Sequence, residues 1–245
     1  MKPTTEVEGI VLSVQDYRES DGIIRLLTQD KILSILARGI QKQTSKNRMI
    51  TAVFSHVRYT IEQKENGLSL LYYGNVIDSH YKIMEDLMKS SICFVLAEVI
   101  TRFHGNPTIY MLFDKCLKEF QNDDAKAYNY ACLLLAQIIQ KEGIAPFVDG
   151  CILCKRKDHL ETLSVTDGGF LCTTCNHDRI LPRSKQEMIQ IRSLFKANEK
   201  DFTQLNEMFA FNLDDFIFWV EWLEKCIHFN VSSLKFLKSV QTLTW

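Results

Sequence analysis

Four cysteines in two close pairs are the residues of this chain best suited to chemistry. Cys151 and Cys154 form one C-x2-C pair, and Cys172 and Cys175 form a second pair after an interval of 17 residues. Each pair can place two thiolates on one cation, and the interval is long enough to fold back as a small hairpin. Four sulfurs at about 2.3 Å from a central ion make the tetrahedral site of structural zinc. The spacing therefore predicts one structural Zn²⁺ ion, with no open position for a catalytic water.

Other uses of these cysteines remain open. A thioredoxin-like redox motif expects one C-x-x-C pair at the start of a helix, whereas this chain has two pairs. A disulfide framework is not expected in 245 residues, which can bury a core without covalent crosslinks. His177 follows the second pair closely and could replace a ligand, although four thiols already suffice. The other four cysteines lie in apolar, helix-like runs and suit core positions: Cys93, Cys116, Cys132 and Cys226.

A basic segment has the composition of a phosphate-binding surface. Residues 31–61 contain six Lys or Arg residues and no Asp or Glu. Long cationic side chains on a flexible loop, free of competing carboxylates, suit a nucleic-acid backbone. The alternative is a solvated surface loop whose charge has no binding role. The predicted nucleic-acid contacts in this segment are Arg38, Lys42, Lys46, Arg48 and Arg58.

Aromatic residues on the predicted strands could stack with unpaired bases, which contributes about 1–3 kcal/mol for each base. The candidates are Tyr17, Phe54, Tyr59, Tyr72 and Tyr73. An aromatic side chain on a strand also suits a half-buried core position. Adjacent residues of a regular strand point to opposite faces, so we expect one of Tyr72 and Tyr73 to point outward and the other inward.

The remaining composition disfavours several classes of protein. The formal net charge is −1, and no apolar run approaches the roughly 20 residues of a membrane span. The N-terminus lacks a hydrophobic signal core, which predicts a cytosolic protein. Because the chain contains no phosphate-binding glycine fingerprint, no H-E-x-x-H and no G-x-S-x-G, we do not expect an enzyme. Asp16, Glu19 and Asp21 cluster where carboxylates usually shape a turn and accept hydrogen bonds from the backbone.

The first eighty residues must position the basic segment. They contain five short runs rich in β-branched and alternating apolar residues, which predict strands at 7–14, 23–28, 32–37, 54–62 and 68–77. Five strands with no helix between them predict a small closed barrel, and the OB-fold is the five-stranded member of that set. We predict an OB-fold nucleic-acid-binding domain at residues 1–80.

Helical periodicity begins after residue 80. Apolar residues at spacings of three and four predict helices at 86–103, 110–120, 125–141, 185–196, 213–229 and 234–240. We predict an all-helical domain at 81–245 with the zinc-binding insertion at about 147–182, and therefore an α+β multidomain fold. In the last helices, Phe216 and Trp219 recur at core spacing, whereas Phe218 and Trp222 could offer a groove to a partner peptide.

Several short motifs, taken in chain order, resemble those of the RecO family of recombination mediator proteins. The N-terminal motifs are Gly9–Leu12, Asp16–Asp21, and Ala37–Gly39 with the basic residues after it. The later motifs are Gly143–Pro146 leading into the first cysteine pair, Gly168–Cys172 leading into the second, and Leu234–Ser239. The resemblance covers nearly the whole chain and implies an OB-fold followed by a helical domain that carries a zinc finger.

The resemblance also implies a function. Proteins of this family are non-enzymatic mediators of the RecFOR pathway in the bacterial cytoplasm, associated with the nucleoid, that bind single- and double-stranded DNA and anneal complementary strands. The implied partners are RecR, the RecA recombinase and the acidic C-terminal tail of single-stranded DNA-binding protein. Carried over by position, the DNA contacts are Arg18, Arg38, Lys42, Lys46 and Arg48, and the four paired cysteines are the zinc ligands.

Two other classes stay open. A zinc-ribbon transcription or translation accessory factor would also combine an OB-like barrel with paired cysteines. A metalloenzyme would need a metal ion with an open coordination position. Because the chain is nearly neutral, we expect DNA binding of modest affinity with a strong dependence on salt.

Overall fold

The computed structural model describes residues 4–42, 45, 47–64 and 67–243. The chain divides into two compact units, one formed by Met1–Ala127 together with Val231–Trp245 and the other by Tyr128–Asn230. The domain boundary at residue 80 stays a prediction. No helix in the described part of the chain is long and apolar enough to cross a membrane.

The first unit begins with a closed barrel of five strands in the order β1-β2-β3-β5-β4. The strands are β1 (Thr5–Tyr17), β2 (Asp21–Leu27), β3 (Ile32–Ala37), β4 (His56–Glu62) and β5 (Ser69–Asp78). Neighbouring strands are antiparallel, except that β3 and β5 pair in parallel over a short stretch. The predicted OB-fold barrel is therefore confirmed.

The interior of the barrel is filled by alternate side chains of every strand. The core residues are Val11, Ile24, Leu26, Leu33, Ile35, Ala37, Ile40, Ile50, Val57, Tyr59, Ile61 and Leu71. Tyr59 is fully buried and its hydroxyl donates a hydrogen bond to Ile50 O. Gly74 lies against its ring, where an added Cβ would be 2.4 Å from Tyr59 Cδ1. Close approach to a buried aromatic ring thus explains the glycine in β5.

The structure contradicts the expected alternation at Tyr72 and Tyr73. Both side chains are exposed, by 47% and 61% respectively. The register shifts between the pairs Thr60–Tyr73 and Ile61–Leu71, so that Tyr72 is an extra residue in β5. A β-bulge of this kind interrupts the two-residue period and re-aims the neighbouring side chain.

Four helices complete the first unit: α1 (Tyr81–Glu85), α2 (Leu87–Phe103), α3 (Pro107–Gln121) and α8 (Ser232–Leu243). The Asp86 and Asn106 side chains cap α2 and α3 by accepting hydrogen bonds from first-turn backbone N–H groups. Phe54 is buried, and its ring centroid lies 5.0 Å from that of Phe94 on α2. Phe54 has a φ of 67°, so β4 begins two residues later than predicted.

The second unit contains the other helices and a two-stranded hairpin. Its elements are α4 (Lys126–Lys141), β6 (Leu160–Ser164), β7 (Gly169–Cys172), α5 (Lys185–Lys196), α6 (Phe202–Met208) and α7 (Leu213–Ile227). Gly143 ends α4 with a φ of 72°, as its position beyond the helix predicted. Phe216 and Trp219 of α7 are buried, as their spacing predicted. Trp222 is buried as well and its Nε1 donates to Ile144 O at 2.9 Å, so the structure contradicts its expected place in a groove for a partner peptide.

Candidate metal centre and nucleic-acid interface

The four paired cysteines come together in the second unit. One sulfur from each of Cys151, Cys154, Cys172 and Cys175 lies within 4.8 Å of the others. Two of these sulfurs, those of Cys154 and Cys172, are 3.7 Å apart. Ligands at about 2.3 Å from a tetrahedral ion would be separated by about 3.8 Å. The donor set and its spacing therefore fit a metal ion held by four thiolates.

Two tight turns and one hairpin build this cluster. In the first turn, Lys155 N donates to Cys151 O at 2.8 Å, and Cys151 N donates to Arg156 O at 2.7 Å. In the second turn, the backbone N–H groups of Cys175 and Asn176 both donate to Cys172 O at 3.0 Å. The β6–β7 hairpin joins the two turns, as the interval between the cysteine pairs predicted.

The backbone around the cluster favours thiolates at two positions. Burial disfavours the Cys151 thiolate, but hydrogen bonds from the backbone of Cys154, Cys172 and Leu153 outweigh it and lower the pKa of Cys151 to about 6. Burial likewise opposes ionisation of Cys172, yet donors led by the backbone of Cys175 lower the pKa of Cys172. Hydrogen bonds with the sulfurs of Cys154 and Cys172 raise the pKa of Cys175 to about 12. Crowded sulfurs retain a proton until a cation offsets their charge.

An asparagine that the sequence did not single out fixes the chain after the second turn. The Asn176 side chain donates to Glu161 Oε2 at 2.9 Å and to Ile180 O at 2.8 Å, and it accepts from Ile180 N at 2.9 Å. The turn is thereby tied to strand β6 and to the segment that follows it. Nothing in the residue types alone distinguished Asn176 from an ordinary loop residue.

The candidate nucleic-acid contacts on the barrel gather at one end. The β1–β2 turn carries Arg18, and the loop after β3 carries Arg38 and Lys42. Gln41 N donates to Ser20 O at 3.0 Å, so the loop lies against the turn.

We call this contact between the β1–β2 turn and the loop after β3 the latch. Two carboxylates beside the turn, one in β1 and one in β2, add hydrogen bonds to it. Asp21 Oδ1 accepts from Gly39 N at 2.9 Å, and Asp16 accepts from the Gln41 side chain. The prediction that carboxylates here accept hydrogen bonds from the backbone is confirmed for Asp21, whereas Asp16 accepts from a side-chain amide. Their negative charge is engaged in holding the loop that carries Arg38.

The predicted cationic side chains are largely solvent-facing. Arg18, Arg38, Lys42 and Arg48 are exposed, whereas Lys46 lies outside the described residues. The Arg18 guanidinium carbon is 5.1 Å from the centre of the Tyr17 ring. This arrangement holds a cation and an aromatic face together at the end of the barrel.

Arg58 lies apart from that end, on β4, and has a carboxylate partner. Glu8 on the neighbouring strand β1 accepts from Arg58 Nη2 at 2.8 Å and from Arg58 Nε at 3.2 Å. The hydrogen bond from Arg58 lowers the pKa of Glu8. The basic segment contains no acidic residue in sequence, but strand pairing places one beside Arg58.

Two of the aromatic stacking candidates are unsuited to that role. Phe54 and Tyr59 are fully buried, which confirms the core alternative for both. Tyr72 and Tyr73 remain accessible on β5, and the Tyr72 hydroxyl donates to Glu62 Oε2 at 3.0 Å.

Comparison with known proteins gives a consistent family. A model described as recombination protein O N terminal matches residues 1–80, and one described as recombination protein O C terminal matches residues 84–183. The first match covers the barrel, and the second contains all four clustered cysteines.

Individual relatives carry the same name. The DNA repair protein RecO of Bacillus subtilis (strain 168) is 30% identical over 176 residues, which are 70% of this chain and 68% of the relative. The DNA repair protein RecO of Listeria monocytogenes serotype 4b (strain CLIP80459) is 27% identical over 245 residues, which are 95% of this chain and 91% of the relative. On these matches, the chain belongs to the RecO family of DNA repair and recombination proteins.

Proposed function

We propose that this chain is a non-enzymatic mediator of DNA repair that binds single- and double-stranded DNA and anneals complementary strands. The observation that carries the proposal is the latch between the β1–β2 turn and the loop after β3, made by Gln41 N and Ser20 O. The latch gathers cationic side chains from two separate segments at one end of an OB-fold barrel. Barrels of this fold commonly bind oligonucleotides through their loops.

The proposed contacts are phosphate contacts. They are made by Arg18, Arg38, Lys42, Lys46, Arg48 and Arg58. Two nearby carboxylates already accept hydrogen bonds from the loop, while Glu19 stays exposed and opposes DNA binding. Arg58 contributes least, because binding a phosphate requires it to leave Glu8. A small set of phosphate contacts gives modest affinity that depends strongly on salt.

The remaining parts of the proposal rest on family membership and on the cysteine cluster. The chain acts with RecR to load RecA onto DNA coated by single-stranded DNA-binding protein, whose acidic C-terminal tail binds the helical domain. It works in the bacterial cytoplasm at the nucleoid. One Zn²⁺ ion bound by Cys151, Cys154, Cys172 and Cys175 stabilises the fold around residues 147–182, and four thiolates leave it no open position for a reaction.

The test is fluorescence anisotropy of a labelled single-stranded oligonucleotide titrated with the protein at several salt concentrations. Alanine substitution of Arg18, Arg38, Lys42 and Arg48 together should weaken binding to all sequences alike. The log–log salt slope should flatten by about 0.7 for each lost contact, or about 3 in total. Lys31→Ala removes one cation of the same basic segment, in the exposed β2–β3 turn at the opposite end of both strands, and should keep the wild-type slope. Equal slopes for the quadruple variant and the wild type would refute this placement.

A further inference from the structure

The turns that hold the cysteine cluster also carry a set of cations. We call this set the knuckle patch, and its members are the exposed residues Lys155, Arg156, Lys157, His159, His177 and Arg179. All six lie within the chain that wraps the four sulfurs.

Backbone hydrogen bonds tie together the segments that carry these side chains. Thr173 N, in the second turn, donates to His159 O at 3.0 Å. Cys151 N donates to Arg156 O, and Arg179 N donates to Asn176 O at 3.3 Å. The patch is therefore organised by the same backbone hydrogen bonds that organise the sulfurs.

Three members of the patch occupy unfavourable backbone conformations. Lys155, His159 and Arg179 have φ values of 62°, 50° and 51°. Glycine or asparagine adopts this left-handed region at lower cost than a long side chain. Backbone strain of this kind clusters at functional sites. The positions that sterically favour glycine carry cationic or imidazole side chains instead.

One carboxylate of the segment pairs with members of the patch, and two others accept hydrogen bonds from residues outside it. Asp158 lies 3.3 Å from Arg156 and 3.8 Å from His159. Glu161 accepts from Asn176, and Asp167 accepts from Ser164.

The other cations of the patch remain available to a ligand. Lys155 Nζ donates to Ile152 O at 2.8 Å and lies 4.6 Å from the centre of the Phe147 ring, so its charge is partly engaged but has no carboxylate partner among the described residues. In the described part of the chain, Lys157 and Arg179 form no ion pair, although the hydrogen bond from Lys196 and the charge of Lys157 both lower the pKa of Asp149, and Asp178 is the one carboxylate of the segment that forms no hydrogen bond or ion pair. The two turns carry four Lys or Arg residues against two carboxylates, Asp158 and Asp178, and this local excess of positive charge suits a phosphate backbone.

We propose that the knuckle patch is a second nucleic-acid site, which binds the phosphate backbone of a polynucleotide through Lys155, Lys157 and Arg179. This second site is distinct from the barrel site, because it uses residues of the other compact unit and can be tested separately. A chain with two such sites can hold two strands at once, which is what strand annealing requires.

The test uses the full-length, zinc-loaded protein and a labelled single-stranded oligonucleotide. Lys157→Ala with Arg179→Ala should flatten the log–log salt slope by about 1.4, which corresponds to two phosphate contacts. The control carries Lys185→Ala and Lys200→Ala, two exposed lysines of the same unit, and should retain the wild-type slope. A zinc content equal to that of the wild type shows that the double variant keeps its fold.

The outcomes separate the two sites. The knuckle variant carries Lys157→Ala and Arg179→Ala, and the barrel variant carries the four alanine substitutions at Arg18, Arg38, Lys42 and Arg48. If the salt slope flattens in the knuckle variant and is unchanged in the barrel variant, the second site is supported and the first is not. If the knuckle variant matches its control in both slope and affinity, the knuckle patch is not a nucleic-acid site, whatever the barrel variant does. If the log–log salt slope of the control variant flattens as much as that of the knuckle variant, the proposal is also overturned, because the effect would then reflect overall charge.

Discussion

The N-terminus of the last helix, α8, is held by a carboxylate from α2, and this contact can be tested quantitatively. Glu98 accepts hydrogen bonds from Ser232 N and Ser233 N at 2.9 Å each, and from the Ser233 hydroxyl at 2.6 Å. Glu98→Ala removes the acceptor of two first-turn N–H groups. A helix cap contributes about 0.5–2 kcal/mol, and a hydrogen bond to a charged group about 1.5–3 kcal/mol. Since water can replace part of these bonds at a half-buried site, we expect a loss of about 2 kcal/mol.

The assay is urea unfolding combined with amide hydrogen exchange along α8. We expect the unfolding midpoint to fall and the α8 amides to lose protection, because the buried face of this helix packs on α2. Glu98→Gln keeps one oxygen acceptor and should lose about half as much. Glu85→Ala replaces an exposed glutamate of the same unit and serves as the control. A loss below about 0.5 kcal/mol for Glu98→Ala, the range of ordinary surface substitutions, would refute the reasoning.

Three further substitutions test the two cores and the metal centre. Cys154→Ser should abolish the single equivalent of bound zinc measured by metal analysis, whereas Cys226→Ser, outside the cluster, should retain it. Bound zinc in both variants, or in neither, would contradict the site. Gly74→Ala forces a Cβ into the buried Tyr59 ring and should lower the free energy of unfolding by about 1–3 kcal/mol, whereas an unchanged urea midpoint would contradict that packing. The Asn129 side chain donates to Asn206 O, Asn206 Oδ1 and Phe209 O and accepts from Phe211 N. Asn129→Ala removes the partner of these four groups and should lower the free energy of unfolding by about 2–4 kcal/mol in the same measurement. An unchanged free energy of unfolding would show that these bonds are replaced.

The features that the sequence predicted are those encoded over short stretches of chain. The C-x2-C pairs bring two ligands together through a single turn, so the cluster could be inferred from spacing alone. Strand and helix periodicity reflect burial of one face, which explains why α5 was predicted at its observed bounds, 185–196. The short helices α1 and α6 were missed because five or seven residues hold too few turns to show a period.

The features that the sequence missed depend on which strands pair. The bulge that exposes both Tyr72 and Tyr73 arises from a register shift against β4. The partner of Arg58 is Glu8, fifty positions away in the chain, and only strand pairing makes them neighbours. The latch between Gln41 and Ser20 likewise joins two loops that no local pattern connects.

Photo-crosslinking tests whether DNA binds at the end of the barrel formed by the β1–β2 turn and the loop after β3. A single-stranded oligonucleotide with a photoreactive base is irradiated with the wild-type protein, and the attached peptides are identified by mass spectrometry. We expect crosslinks in the β1–β2 turn around Arg18 and in residues 38–48. Crosslinks confined to other segments, with none in either of these two, would contradict binding at this end.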